Sequence, residues 1–351
     1  MCNKFSVSGL FLQENGTIPP NISMINYIFL YIKEVHIMVY IGFDVGGTGV
    51  QVGVVSELGE ILCKGNMVTR TDIPVADQIK AMADCALDTL ARSGYTLDDV
   101  KSLGAGLPGV VDPRTNHIAF CPNLGWTDVD FAGEMRKHID KPIFMDNDAT
   151  VAGLAENVAG VSAGAHSSVF LTLGTGVGGA IVLGGKVWSG FHGVGSEIGH
   201  MVIALDGNQC NCGNRGCLER YCSATAIILA AREAVKDTPD TVIMTKCEGD
   251  PMKINAKMVF DAAKEGDALG MKLFSDYIKA LAHGIVSIIN FLDPEVIALG
   301  GGVSKAGAFL LDALREEIAK LVMYKTLPYS RIELAKLGPD AGIIGAAMLG
   351  L

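Results

Sequence analysis

The stretch HMVIALDGNQCNCGNRGC, residues 200–217, sets one histidine and three cysteines at the spacing H-x9-C-x-C-x4-C. One imidazole and three thiolates form a tetrahedral Zn²⁺ ligand set. Gly207, Gly213 and Gly216 between them mark a loop that turns tightly around something. Disulfides are the competing account. Cys210 and Cys212 are too close for an easy mutual bridge, and three cysteines leave one over unless Cys222 joins them. The expectation is a structural zinc on His200, Cys210, Cys212 and Cys217. With four protein ligands such a metal has no open position, so it is not the Lewis acid of a reaction. Glu197 stands three residues before His200 and Glu219 two after Cys217, so the loop pins two carboxylates near one another. Fixed acceptors of this kind are what sugar hydroxyls need. His200 can serve metal through one ring nitrogen and a sugar oxygen through the other.

A second candidate is MDNDAT, residues 145–150, where a strand ends and a helix starts. Acids there cap free N–H groups and favour the helix dipole. The chemical reading is that one acid caps while Asp148 faces a cleft as general base. Asn147 then orients hydroxyls, and a sugar hydroxyl attacking a γ-phosphoryl group needs little more.

Phosphates need donors. YIGFDVGGTGVQVGVV (40–55) reads as strand, glycine turn, strand, and SVFLTLGTGVGGAIVLGG (168–185) repeats that shape. Neither turn has the lysine of a P-loop, and each leads into a strand rather than into the helix of a dinucleotide fingerprint. Each can be a plain β-turn. As a pair facing one cleft, Gly46, Gly47 and Thr48 with Gly174, Thr175, Gly176 and Gly178 would clamp a polyphosphate through backbone N–H groups. Asp44 would hold Mg²⁺ through water. Gly301 and Gly302, after the short strand near 296–299, leave room for an adenosine.

The elements that position these groups alternate. Helical periodicity covers 76–92, 149–159, 222–236, 255–265 and 271–292, and strands cover 100–106, 142–146 and 296–299. The two hairpins suggest one α/β unit duplicated, with a mixed sheet in each half and a cleft between. The 351 residues suffice for two domains, and 49% hydrophobic with 19% charged residues is globular composition. A net charge of −10 gives no basic face for nucleic acid. Nine cysteines, an odd number with no secretory signal, read as reduced cytoplasmic thiols. The apolar run in residues 23–36 is too short and too charged to cross a membrane. Residues 1–37 therefore read as a non-essential extension.

GVGSEIGHMVI followed by CNCGNRGCLERYCSATA resembles the signature of the ROK sugar kinases (repressor, ORF, kinase) of the hexokinase/actin-like ATPase superfamily. DVGGT, LPGVVD, DNDA, LGTGVGG and LGGGVS stand in the expected order across 38–351. The resemblance implies two actin-like, ribonuclease H-like domains: 38–148 plus 338–351, and 149–337 with the zinc loop. It implies ATP-dependent phosphorylation of a hexose, glucose first, at its 6-hydroxyl. Asp148 would be the base; Asn123, Asn147, Glu197, His200 and Glu219 would bind sugar; His200 and the three cysteines would bind zinc. Gly49 and Thr150 depart from common family residues at their positions.

Other hexoses or N-acetylhexosamines (N-acetylmannosamine, N-acetylglucosamine, fructose, allose) are the sister alternatives. A sugar-responsive transcriptional regulator is a third reading, weakened because residues 1–37 hold no helix-turn-helix pattern. A polymerising actin-like protein would leave Asp148 and the paired glutamates without a purpose. A dimer or tetramer is expected from apolar helical surface near 280–292.

Overall fold

The computed structural model describes residues 38–351; the 1–37 extension lies outside the described residues. The first hairpin forms as β1 (Val39–Val45) and β2 (Gly49–Ser56), continued by β3 (Ile61–Val68) and β4 (Val100–Leu107). A meander comes next, β5 (Val110–Asp112), β6 (His117–Cys121) and β7 (Trp126–Val129), and then β8 (Ile143–Asn147). The second half contributes β9 (Ser167–Leu173), β10 (Val177–Leu183), β11 (Lys186–Val187), β12 (Val296–Gly300) and β13 (Arg331–Leu334).

Two five-stranded sheets result, in the orders β3-β2-β1-β4-β8 and β11-β10-β9-β12-β13. Each begins with an antiparallel hairpin and ends with two parallel strands, so the halves share one topology. Central β1 and β12 are rich in β-branched, aromatic and aliphatic residues and buried on both faces, as strands covered by helices must be. Edge β3 alternates half-buried and exposed positions. The sequence pattern does not announce the meander between 110 and 129; its strands are three to five residues long, below the length at which alternation speaks clearly.

The principal helices are α1 (Val75–Ser93), α2 (Asp148–Val158), α3 (Ala224–Asp237), α4 (Ala268–Leu292), α5 (Ala308–Leu321) and α6 (Ala341–Met348). Their starts obey capping chemistry. Ser223 accepts from the Ala226 N–H and Asp267 from the Gly270 N–H. One core packs α1 on the first sheet, with Ile41, Phe43, Ile79, Leu103 and Met145 buried in it. Another packs α3, α4 and α5 on the second, around Leu171, Leu281, Ile285 and Ile297.

α6 joins the chain's last residues to the first sheet. It lies on a trough made by Gly42 and its parallel partner Gly104. A Cβ on either would collide with the carbonyl oxygen of Ile343 or Ala346, so only glycine lets the helix come this close. α2 packs against both α6 and β10, and therefore touches both halves. Its fully buried Glu156 accepts from the backbone N–H groups of Val161, Lys336 and Leu337, each at 2.8 Å. That carboxylate fixes the segment carrying the chain from β13 back toward α6. The start of α2, where the candidate base sits, is thus held from several directions.

Candidate active site

The carboxyl ends of β1, β4 and β8 lie side by side: Asp44 pairs with Gly106, and Gly106 with Asp146. This is where parallel strands present ligand-binding groups. At the β8–α2 junction Asn147 is the N-cap, its Oδ1 accepting from the Ala149 N–H at 2.9 Å. The expectation that an acid caps is corrected: the amide does. Asp146 is buried and takes two donors, the Asn147 N–H at 2.8 Å and the Ser189 hydroxyl at 2.9 Å. Burial pushes its carboxyl above the usual range. The Asn147 amide nitrogen donates to the Gly109 carbonyl, which fixes its orientation.

Asp148 is exposed at its own atoms but lies deep in a concavity, with protein on most sides. That enclosure pushes its carboxyl up, opposed by the Ala149 N–H at 2.7 Å. Asp44 is raised further, to about 6, by burial first and by the negative charge of Asp148 second.

The opposite wall is the β9–β10 turn. Its backbone is anchored by α3, whose Ala224 N–H and Thr225 hydroxyl donate to the carbonyls of Gly174 and Thr175. Glu219 accepts from the Val177 N–H at 2.9 Å. A side chain at Gly176 would run into the Glu219 carboxylate. Between these walls is a cavity of about 350 Å³, lined among others by Asn147, Asp148, Gly174, Thr175, Gly176, Gly178, Glu197, His200 and Glu219.

Beside it, donor atoms of His200, Cys210, Cys212 and Cys217 all lie within 4.8 Å of one another. The Cys212 and Cys217 sulfurs are 3.7 Å apart, as are the Cys210 sulfur and His200 Nδ1. Zn–S bonds of about 2.3 Å at tetrahedral angles put sulfurs about 3.8 Å apart, so the donors present fit that ion. The loop closes through the Cys210 N–H on Asn214 O and the Gly213 N–H on Cys210 O, with Gly213 at φ 93°. All eight cysteines among the described residues are free, and Cys222 is buried away from any pairing. His200 turns Nε2 toward Glu197, 4.0 Å from its carboxylate, so its two nitrogens face the cysteines and the cavity rim respectively.

The family model described as "ROK family" matches residues 40–351. The chain belongs to the ROK family. It is 37% identical over 310 residues to a glucokinase of Thermotoga maritima, covering 88% of this chain and 96% of that one. Among solved structures, a ROK family glucokinase from Streptomyces griseus in complex with glucose and AMPPNP superposes with a TM-score of 0.72 at 30% identity. That superposition covers 89% of this chain and 98% of the other. A ROK hexokinase from Thermus thermophilus gives 0.76 at 29% identity, over 89% and 97%. The expected actin-like α/β fold is therefore present.

Measured against this ROK fold, the site residues read from sequence divide in two. Asn147, Asp148, the 174–178 turn, Glu197, His200 and Glu219 meet around one cavity. Asp44, Gly46, Gly47, Thr48, Asn123, Gly301 and Gly302 are not in its wall. The first turn instead closes on itself, with the Gly46 N–H on Gly49 O and the Thr69 hydroxyl on Gly46 O. Gly47 faces exposed Asn123 so closely that a Cβ would lie 3.2 Å from its carbonyl oxygen. Gly301, at φ 83°, abuts Leu173 at the base of the second turn. Sequence reasoning missed Ser189, which reaches across from the second half to Asp146. The glycine density of WSGFHGVGSEIG signals a loop there, but not which hydroxyl turns inward.

Among the described residues no helix is long and apolar enough to cross a membrane.

Proposed function

We propose that this chain is a glucokinase, transferring the γ-phosphoryl group of ATP to the 6-hydroxyl of glucose. The observation that carries the reading is Asp148, set at a helix start in the same cavity as Glu197, His200, Glu219 and the 174–178 turn. Its supports are family membership and the glucokinases among its relatives.

In this reading the 6-hydroxyl gives its proton to Asp148 as its oxygen attacks the γ-phosphorus, and ADP departs. Ionised Asp148 is the acceptor that this step needs. Asn147, Asn123, Glu197 and Glu219 hold the remaining hydroxyls, and His200, whose Nδ1 faces the cysteines, donates from Nε2 to a sugar oxygen. Backbone N–H groups of 46–48 and 174–178 meet the phosphates from two sides, and Gly301 and Gly302 leave space for the nucleoside. Asp44 would hold, through water, the Mg²⁺ that arrives with ATP and would supply charge neutralisation to the phosphates. Zinc on His200, Cys210, Cys212 and Cys217 holds the knuckle that sets Glu219 and His200, and its role is structural. The working division is one domain of 38–148 plus 338–351 and another of 149–337, with ATP and hexose bound between them. The compartment that suits reduced thiols is the cytoplasm.

The decisive experiment is a panel of hexoses and N-acetylhexosamines with ATP, following ADP release. Glucose should give the highest kcat/KM, by at least about tenfold. Faster turnover of an N-acetylhexosamine would replace glucose as the substrate, and no turnover of any sugar would end the kinase reading.

A further inference from the structure

Behind the short helix Glu219–Cys222 lies a second cavity of about 360 Å³, bordered by α3 and α4. Its inner surface is apolar, with Ile227, Leu273 and Tyr277 buried. Arg220 points its charge there without a protein reason. Its Nε is buried with no acceptor, and no hydrogen bond or ion pair of its guanidinium forms among the described residues. Arg232 and Arg315, by contrast, both have their side-chain donors satisfied by carbonyls. The acid bordering the same cavity, Asp276, is occupied by Lys272 at 2.9 Å, one turn away on α4. A buried donor left unsatisfied costs stability that a bound acceptor returns, and a guanidinium fork matches a carboxylate best.

We propose that this cavity is a second ligand site, taking a small monocarboxylate with an apolar body. Arg220 receives the carboxylate, and the body rests on Ile227, Leu273 and Tyr277. Among the residues lining the cavity Arg220 alone is cationic, so the site matches a single carboxylate. The site also communicates with the active site. Arg220 shares one helical turn with Glu219, whose carboxylate holds the Val177 N–H, and Cys217 of the metal cluster lies three residues before Arg220. Filling the cavity steadies that turn and lowers KM for glucose. This second part rests on the reading of Glu219 as a sugar ligand, whereas binding itself does not.

The test is calorimetry on the zinc-loaded full chain with 3-phenylpropionate and its neutral counterpart 3-phenylpropanol. The acid should bind at least about tenfold more tightly, the scale of a charge-assisted pair. Arg220→Met should abolish that preference, Arg220→Lys should keep part of it, and saturating glucose should displace nothing. Without ligand, Arg220→Met should melt no lower than the wild type, which separates lost binding from lost fold. Arg220→Gln serves the same purpose if the methionine variant does not fold. Equal binding of acid and alcohol, a preference surviving in Arg220→Met, or displacement by glucose would each overturn the site. So would sedimentation showing that Arg220→Met dissociates an oligomer, because the acceptor would then be a second copy of the chain. Carboxylate binding with an unmoved glucose KM would sink the coupling alone.

Discussion

The two sheets have the same strand order and directions, yet the chemistry at their carboxyl ends differs completely. In the first, β1 ends at Val45, just past Asp44, and β8 at Asp146 and Asn147, with Asp148 next in line. In the second, β9 ends at Leu173 and β12 at Gly300 with no carboxylate beside them, and β13 ends at Leu334, where the neighbouring Glu333 is held by Arg315. Both scaffolds carry a glycine turn with backbone donors, and the first adds carboxylates at its strand ends. Phosphoryl transfer needs both kinds of group. The second half adds a loop between β11 and α3 that gathers His200 and three cysteines and brings Glu197 and Glu219 to the cavity.

The sharpest way to break this comparison is Asp148→Asn. The amide keeps the shape and loses the proton acceptor. We expect kcat to fall by at least about 100-fold while calorimetry still detects glucose binding. Near-normal turnover would mean that the first sheet's acids are not the chemical half.

Asp44→Asn tests the cost of gathering those acids. The Asp44 carboxyl titrates at about 6 in the folded chain, against an ordinary value of 3.8. A raised carboxyl contributes stability below its unfolded pKa and loses it as pH climbs through the folded one. The window is therefore about pH 4 to 6, and above it the charged group costs roughly 2–3 kcal/mol relative to acid. Asp44→Asn should remove that slope and be more stable than the wild type at pH 7, as read by urea denaturation at several pH values. Parallel slopes in the two proteins would show that Asp44 is not strained by burial and by Asp148.

Cys212→Ser addresses the loop that only the second half carries. Cys212 is the exposed member of the cluster, so serine fits without repacking. Elemental analysis should show loss of zinc, and KM for glucose should rise by about tenfold, the scale for disturbing groups that a metal holds in place. Zinc retained in full would mean that the ligand set is wrong.

Much of this contrast was legible in the sequence. Apolar strands around glycine turns, helices with polar caps and the H-x9-C-x-C-x4-C spacing each have a local cause, so local reading finds them. Helix bounds fall within about three residues of those expected, as capping residues such as Ser223 and Asn255 foretell. Contacts made by residues far apart in the chain were not legible. The Ser189–Asp146 bond, Glu156 gripping 336–337, and the α6 trough at Gly42 and Gly104 exist only once both halves are assembled. The same limit explains why the two turns, matched in sequence, differ in place: one borders the cavity and the other faces Asn123.

That difference in place yields the smallest expected effect and the finest test. A Cβ at Gly174 meets nothing within 4 Å, so Gly174→Ala costs the free protein no packing. Any change it brings must come from a ligand that approaches the turn. If phosphate oxygens contact this backbone, the added methyl pushes them off, and KM for ATP should rise severalfold while the melting temperature and KM for glucose stay put. Gly47→Ala is the matched control on the other sheet, where a Cβ would stand 3.2 Å from Asn123 O and press on the neighbouring loop. Its effect should fall on both substrates, because Asn123 is read as a sugar ligand and the turn as a phosphate clasp. Equal and purely nucleotide effects at both positions would mean that the turns perform one job symmetrically. A Gly174→Ala protein indistinguishable from wild type would move the nucleotide away from the second sheet altogether.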